Sequence, residues 1–196
     1  MPTTKYSEAQ QSVFGMPVFG VGDLVNRGVP RNYAKKYLHE RHRAGKLLRI
    51  ERDKYTCAGD LMAVASRIAS PSYLSLWAAM SIRGMTTQIP FAIQVMTSRK
   101  RFNRNIEFDG TRINFHNLRP EMMFGYEYIP WGDGVRIPVA RPEKILIDAI
   151  YFGAIQLDEF DESREAIDAG LLMDYAELTG NARVINAAVR WLDADR

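Results

Sequence analysis

The chain has 196 residues, of which 46% are hydrophobic and 11% aromatic, and this length allows one large or two small domains. That hydrophobic content is sufficient for packed cores and excludes a globally disordered chain. The formal net charge is +3, but it is unevenly distributed: residues 1–58 carry +6, residues 59–156 carry +3 and residues 157–196 carry −6. The basic N-terminal segment is expected to attract phosphates, whereas the acidic C-terminal segment is not expected on DNA.

Membrane insertion and secretion are not indicated by the sequence. No apolar run approaches the roughly 18 residues of a membrane span, and the N-terminal residues lack the apolar region of a signal peptide. Cys57 is the single cysteine and is expected to be a small packed residue. A chain without an internal disulfide is typical of the reducing cytoplasm, which is the predicted location.

Residues 18–56 predict a short helix, a turn at Gly28, a longer basic helix that starts after Pro30 and ends at Gly45, and a two-stranded hairpin. Leu48 and Ile50 alternate with Arg49 in the first strand of that hairpin, as expected for a strand with one apolar face. This order is typical of a winged helix-turn-helix, whose second helix reads the DNA major groove. We therefore predict a DNA-binding domain over residues 1–58. One helix face is basic and the other carries Ala34, Tyr37 and Leu38. The predicted DNA-binding residues are Arg31, Asn32, Lys35, Lys36, His39, Arg43, Arg49, Arg52 and Lys54.

A linker is predicted at residues 58–60, followed by an α/β domain over residues 59–196. Helices are predicted at 61–68 and 73–82, a strand at 91–97, and hairpins over 106–115, with its turn at Asp109-Gly110, and over 122–139. A helix follows from Arg141, and further helices are separated by Gly170 and Gly180. The predicted fold class is thus α+β: a winged helix-turn-helix, then a mixed α/β domain with a small, mainly antiparallel sheet and C-terminal helices.

Three features of the sequence are candidates for a metal, cofactor or catalytic site. The histidines lack partners at ligand spacing, and Gly20-x-Gly22 is not followed by a phosphate-binding loop, so we expect neither a metal nor a cofactor. Glu143, Lys144 and Asp148 allow two interpretations. They are either a Mg²⁺-dependent nuclease centre or structural residues of a helix whose first turn favours Glu, and the structural role is preferred.

Three stretches resemble the AbiEi family, the antitoxins and transcriptional regulators of a two-gene toxin–antitoxin system. They are the turn at Gly28-Val29 before the basic helix, residues 45–50 (GKLLRI) running into Tyr55, and residues 134–148 (GVRIPVARPEKILID). The third is the most specific of the three. One departure is that Asp53-Lys54 stand where the family often has Arg-Gly at the wing turn, which bears on the depth and shape of the wing.

The resemblance implies a non-enzymatic repressor that binds double-stranded operator DNA, an inverted repeat, and represses its own operon. It also implies an antitoxin that counteracts a nucleotidyltransferase-like toxin without requiring a stable complex. Two alternatives stay open: a metal-dependent nucleic-acid enzyme targeted by the winged helix, and a winged-helix adaptor that binds only protein.

A second basic cluster lies between two predicted strands and is formed by Arg99, Lys100, Arg101 and Arg104. It is our candidate antitoxin surface, as an extension of the nucleic-acid-binding surface or as a site for an RNA substrate of the toxin. The alternative is a solvated loop. Arg119, Arg136 and Arg141 are further candidates for the same surface, and their membership depends on the fold.

Overall fold

The computed structural model describes residues 5–57, 59–132 and 134–194. The chain divides into two compact units, residues 1–68 and 69–196. The helix at Leu61–Ile68 therefore belongs to the first unit, although it lies in the predicted second domain. The predicted domain boundary after residue 58 stays a prediction. Ala58 of the predicted linker and Asp133 of the second predicted hairpin turn lie outside the described residues.

The first unit contains four helices and one hairpin among its described residues. Their bounds are α1, Ser7–Phe14; α2, Val21–Val25; α3, Arg31–Arg43; β1, Leu48–Glu51; β2, Lys54–Thr56; and α4, Leu61–Ile68. The apolar core that the elements from α1 to β2 share contains Phe19, Leu24 and Leu38, each at most 1% exposed. Apolar side chains at helical spacing thus hold α2 and α3 together.

Two glycines set the length of the helices in this unit. Gly28, after α2, has φ +84°, and Gly45, after α3, has φ +68°. Glycine adopts such left-handed conformations without the steric cost that a Cβ adds, so each helix stops where the sequence predicted.

The hairpin departs from the simple alternation expected for Leu48 and Ile50. Leu47 is 2% exposed, Leu48 is 48% exposed and Ile50 is buried. The register shifts between Arg49 and Glu51, and a bulge of this kind moves successive side chains to the other face of the strand. The apolar residues that face the core are consequently Leu47 and Ile50.

The second unit is built on a six-stranded mixed sheet in the order β5-β6-β4-β3-β8-β7. The strands are β3, Ser72–Leu74; β4, Ala92–Thr97; β5, Asn105–Phe108; β6, Thr111–Asn117; β7, Tyr126–Trp131; and β8, Val135–Ala140. Two pairings, β4 with β6 and β3 with β8, are parallel. The α+β class is confirmed, but the expectation of a small, mainly antiparallel sheet was too simple, because local hairpin signals do not show which strands pair across longer connections.

The helices of this unit are α5, Leu76–Ile82; α6, Pro142–Phe152; α7, Ala169–Leu178; and α8, Ala182–Asp193, with a 3-10 segment at Leu157–Ala166 and a short 3-10 turn at Pro120–Met122. α6 is the central helix, since it contacts α5, α7 and α8. Its residues Ile145, Leu146 and Ile147 are all fully buried, as expected for a helix surrounded by other elements.

Two predicted boundaries in the second unit were wrong. The helix predicted from residue 73 begins at Leu76, because residues 72–74 form β3 between β4 and β8. A short apolar run does not distinguish a buried strand from a buried helix. Gly170 lies inside α7, where Asp168 accepts a hydrogen bond from Leu171 N and caps the helix. Gly180, with φ +60°, does separate α7 from α8.

Candidate nucleic-acid interface

One face of α3 is buried and the opposite face carries most of its polar residues. Ala34 and Leu38 are fully buried, and their positions differ by four residues, which places them on the same side of a helix. The predicted residues on the exposed side of the helix and along its margins are Arg31, Asn32, Lys35, Lys36, His39 and Arg43, all of them exposed. The exposed side of the helix and its margins therefore carry four cations, Arg31, Lys35, Lys36 and Arg43.

Glu40 is a carboxylate on this same face and is not among the predicted DNA-binding residues. Lys36 Nζ lies 3.8 Å from Glu40 Oε1, with side chains 76% and 61% exposed. The signal that locates it was present in the i, i+4 spacing. A carboxylate repels phosphates, although it can accept a hydrogen bond from the cytosine amino group, so the exposed face of α3 is of mixed charge and not uniformly basic.

Two further polar residues of α3 have structural contacts. The Arg41 guanidinium lies 5.1 Å from the centroid of the Tyr37 ring. His42 Nδ1 lies 3.0 Å from the Leu47 carbonyl oxygen and thereby ties the end of α3 to the start of the hairpin. Their contacts assign Arg41 and His42 to packing, whereas Arg43 extends the exposed face.

The hairpin adds cations, and they are not equivalent. Arg49 and Arg52 are exposed. Lys54 is half-buried, donates to Glu51 Oε1 at 2.7 Å, and also donates to the Ile68 carbonyl at the end of α4. Lys54 thus links the hairpin to α4. Arg49 Nε donates to the Glu51 carbonyl oxygen at 3.3 Å, but its side chain and that of Arg52 stay exposed.

Asp53 fixes the hairpin turn to α2. Its φ is +60°, a conformation that aspartate tolerates better than most residues, and its Oδ1 accepts a hydrogen bond from Val21 N at 3.0 Å. Phe19 and Tyr55 exchange two backbone hydrogen bonds of 3.0 and 2.8 Å beside it. A Cβ added at Gly20 would overlap the Asp53 carbonyl oxygen. Sequence alone placed Asp53 in the turn, but these contacts depend on tertiary packing.

The second basic cluster occupies the connection between β4 and β5, and two of its members hold that connection in place. Arg99 Nε donates to the Ser70 carbonyl at 3.0 Å, and the Arg101 guanidinium lies 4.0 Å from the centroid of the Phe115 ring. Lys100 and Arg104 are exposed. The cluster is therefore a loop that contacts of Arg99 and Arg101 hold in place, with Lys100 and Arg104 exposed to solvent.

The other three candidate arginines bind acceptors of their own. Arg119 donates to the Thr179 carbonyl at 3.0 Å, and Arg136 donates to the Tyr128 carbonyl within the β7–β8 hairpin. Arg141 forms an ion pair with Glu127 at 3.1 Å. These contacts assign each guanidinium a role in joining neighbouring elements of the unit.

The carboxylates of the alternative nuclease interpretation lie in the core of the second unit. Lys144 and Asp148 form an ion pair in which both side chains are 0% exposed. Asp148 Oδ2 also accepts hydrogen bonds from the Tyr73 hydroxyl at 3.0 Å and the Ser75 hydroxyl at 2.8 Å. Burial, together with the negative charge of Asp148, raises the pKa of Tyr73 well above its ordinary value, so the phenol stays protonated and donates.

Glu143, the neighbouring carboxylate, is also occupied. It is 5% exposed, and its Oε1 accepts a hydrogen bond from the backbone N–H of Asp168 at 2.9 Å, just before α7. The Lys144 ammonium lies 4.9 Å from the centroid of the Phe124 ring, a favourable cation–π distance. These contacts join α6 to β3 and to the start of α7, and they leave Lys144 and Asp148 without exposed surface and Glu143 almost without it.

Cys57 is exposed, so the expectation that it is a packed residue was wrong. It follows β2 directly, where the chain leaves the hairpin. Within the described part of the chain, no three His, Cys, Asp or Glu side chains are grouped closely enough to hold a metal ion. No helix in the same residues has the length and apolar character needed to cross a membrane.

No family model matches the chain, and no curated protein matches its sequence. The resemblance to the AbiEi family accordingly rests on the three stretches described above.

Proposed function

We propose that the protein is a non-enzymatic, cytoplasmic DNA-binding repressor and antitoxin of the AbiEi type, and that the first unit is its winged helix-turn-helix. The single observation that carries this proposal is the solvent-facing side of α3, where exposed cations and hydrogen-bonding groups lie opposite the buried Ala34 and Leu38. A helix of this kind, followed by a hairpin with exposed Arg49 and Arg52, fits docking into a major groove with the hairpin against the backbone.

The order and contacts of the first unit support the same interpretation. α2 and α3 are separated by a short turn at Gly28, and the hairpin is fixed beside them through Asp53 and the paired backbone bonds of Phe19 and Tyr55. Only Arg52 and Asp53 lie between the two strands, so the proposed wing is short. It would place Arg52 close to the groove that α3 enters.

The test is binding of the full chain to duplex DNA from upstream of its own gene, an inverted repeat on this proposal. With about five phosphate contacts, the logarithm of the affinity should fall against the logarithm of salt concentration with a slope of about −4 to −5. A matched charge control is Arg190→Gln on the exposed side of α8, which should leave the slope unchanged. A flat salt profile would contradict the proposal and favour the protein-binding adaptor.

Base recognition is tested with Asn32→Ala, because Asn32 lies near the start of α3 and is exposed. We expect a loss of about 1–3 kcal/mol on the operator and little on random DNA. Equal losses on both DNAs would assign Asn32 to phosphate contact instead.

The antitoxin part of the proposal rests on the resemblance and is tested in cells. Co-expression with a nucleotidyltransferase-like toxin from the neighbouring gene should restore growth, and the variant Asn32→Ala/Lys36→Ala should still protect when both genes have heterologous promoters. Cleavage of DNA or RNA by the purified chain with Mg²⁺ would favour the nuclease alternative. The burial of Glu143, Lys144 and Asp148 argues against that outcome at those residues.

A further inference from the structure

The loop between β4 and β5 carries a fully exposed aromatic ring among four cations. Residues 99–104 have the sequence RKRFNR and contain no carboxylate. Phe102 is 103% exposed, so its ring contributes nothing to the core of the unit. An exposed phenylalanine does not gain the free energy that burial of its ring would supply. A partner that covers the ring would supply it, and the four neighbouring cations indicate the charge of that partner.

The loop is held at both ends, although its aromatic residue is free of the core. Asn117 Nδ2 donates to the Arg99 carbonyl at 3.1 Å, and Phe115 N donates to the Arg104 carbonyl at 2.6 Å. Between these points the Arg101 guanidinium stacks on the Phe115 ring. Because the backbone is already ordered, a ligand that binds here loses less conformational entropy than it would on a mobile loop.

We propose that residues 99–104 bind single-stranded nucleic acid, with Phe102 as the platform on which an unpaired base stacks and with Lys100 and Arg104, the two cations not used in bracing the loop, contacting the flanking phosphates. Exposed aromatic rings next to a basic track are the usual means of binding single strands without reading sequence. Bases of a duplex are already stacked on each other and offer no free face, so this loop and α3 are suited to different nucleic acids.

Two other partners fit the loop less well. A lipid surface requires more apolar area than one phenylalanine flanked by arginine and asparagine supplies. An acidic protein segment would use the cations, but a fully exposed ring has no pocket around it that would anchor such a segment. Residues 99–104 lie in the second unit and α3 lies in the first, so single-strand binding by this loop does not require duplex binding by α3.

The test uses the full chain and fluorescein-labelled 12-nucleotide oligo(U) RNA and oligo(dT), with binding followed by anisotropy. Phe102→Ala should weaken binding about five- to 150-fold, and Phe102→Trp should retain it. The matched control is Phe91→Ala, since Phe91 is likewise 100% exposed but precedes β4, at the end of that strand opposite to residues 99–104. Phe91→Ala should bind as the wild type does. A preference between the RNA and DNA strands identifies which of them the loop accepts.

The phosphate contacts are tested separately with Lys100→Gln/Arg104→Gln, both exposed positions. If each side chain neutralises one phosphate, the salt slope for a single strand should become shallower by about 1.4. Arg190→Gln should leave that slope unchanged. An unchanged slope in the double variant would overturn the assignment of these two cations.

Several results would overturn the proposal as a whole: no binding of either oligonucleotide, equal binding by the wild type and Phe102→Ala, or an equal loss in Phe91→Ala. Binding of anionic phosphatidylserine vesicles or of a poly-Glu peptide that depends on Phe102, without oligonucleotide binding, would assign the loop to those partners instead. Asn32→Ala/Lys36→Ala should lose operator duplex and keep single-strand binding. If it loses both, the single strand is bound by α3 and the inference is wrong, whereas failure of duplex binding alone contradicts only the proposed function.

Discussion

Two lysine–carboxylate pairs in this protein have the same spacing along a helix and opposite surroundings. Lys36 and Glu40 on α3 are 76% and 61% exposed, whereas Lys144 and Asp148 on α6 are both 0% exposed. Water and salt screen the first pair, and the second must satisfy its charges within the core. Spacing alone therefore does not decide whether an ion pair contributes to a binding surface or to stability.

Hydrogen bonds and a cation–π contact stabilise the two charges of the buried pair. Asp148 receives the Tyr73 and Ser75 hydroxyls in addition to Lys144, and the Lys144 ammonium lies against the Phe124 ring. These groups come from the β3 region, from α6 and from the segment before β7. A network that crosses so many elements makes their relative positions depend on a few atoms.

The largest effect is expected for Lys144→Met. This change leaves the Asp148 carboxylate buried without its cation, and breaking such a pair costs about 3–5 kcal/mol. Urea unfolding followed by tryptophan fluorescence is a clean measurement, because Trp77, Trp131 and Trp191 all lie in the second unit.

The control for that variant is Lys144→Met/Asp148→Leu. Replacing both charges by apolar groups of similar size should recover much of the loss. If the double variant is as unstable as the single one, the cost comes from packing and not from an unpaired charge, and the contrast between the two pairs loses its basis.

A smaller effect is expected for Tyr73→Phe. The change removes one hydrogen bond to the Asp148 carboxylate while keeping the ring that stacks on Tyr126 at 4.7 Å between centroids. Hydrogen bonds to charged groups contribute about 1.5–3 kcal/mol, and the same fluorescence measurement should show a loss in that range. Tyr128→Phe serves as the control, because the Tyr128 side chain is 45% exposed and water competes for any hydrogen bond of its hydroxyl, so stability should change little.

A pH effect of lesser size is expected from His116, whose ring centroid lies 4.9 Å from that of Phe152. Burial lowers the pKa of His116 below its ordinary value of 6.5, although the negative charge of Asp148 opposes this shift. The unfolded chain therefore binds the proton more readily, and His116 reduces stability as the pH falls from about 6.5 through the lowered pKa.

The measurement for His116 compares the unfolding free energy of the second unit at pH 7.5 and 5.5 in the wild type and in His116→Gln. The variant should lose less stability on acidification than the wild type. An identical loss in both proteins would show that other groups account for the acid sensitivity.

The smallest effect on stability is expected for Lys36→Met in the exposed pair, within about 0.5 kcal/mol. Far-UV circular dichroism and amide hydrogen exchange in α3 would measure it, since tryptophan does not report on the first unit. The same variant should weaken duplex DNA binding, and Glu40→Gln should strengthen binding to random DNA by removing a negative charge. A loss of stability above about 1 kcal/mol in Lys36→Met would show that the two pairs differ less than their exposure indicates.

Local patterns in the sequence determined much of the architecture. The helical period of α3, the glycines at 28 and 45, and the Asp109-Gly110 turn of the β5–β6 hairpin were each predicted and are present. These features depend on backbone preferences of a few adjacent residues, which act in any surroundings. The exposed polar face of α3 follows from the same period, so the predicted DNA-binding residues on it were available from sequence alone.

Other features were decided only when distant segments came together. Two of these features join residues that are far apart along the chain: the parallel pairing of β3 with β8 and the hydrogen bond from Val21 N to Asp53. A third, the burial of Lys144 and Asp148, depends on neighbours from distant segments. The sequence marks these residues as short apolar runs, a turn and an i, i+4 pair. Which of them face water and which enter the core is set by tertiary packing, because the free energy of a charge depends on the dielectric environment that packing creates around it.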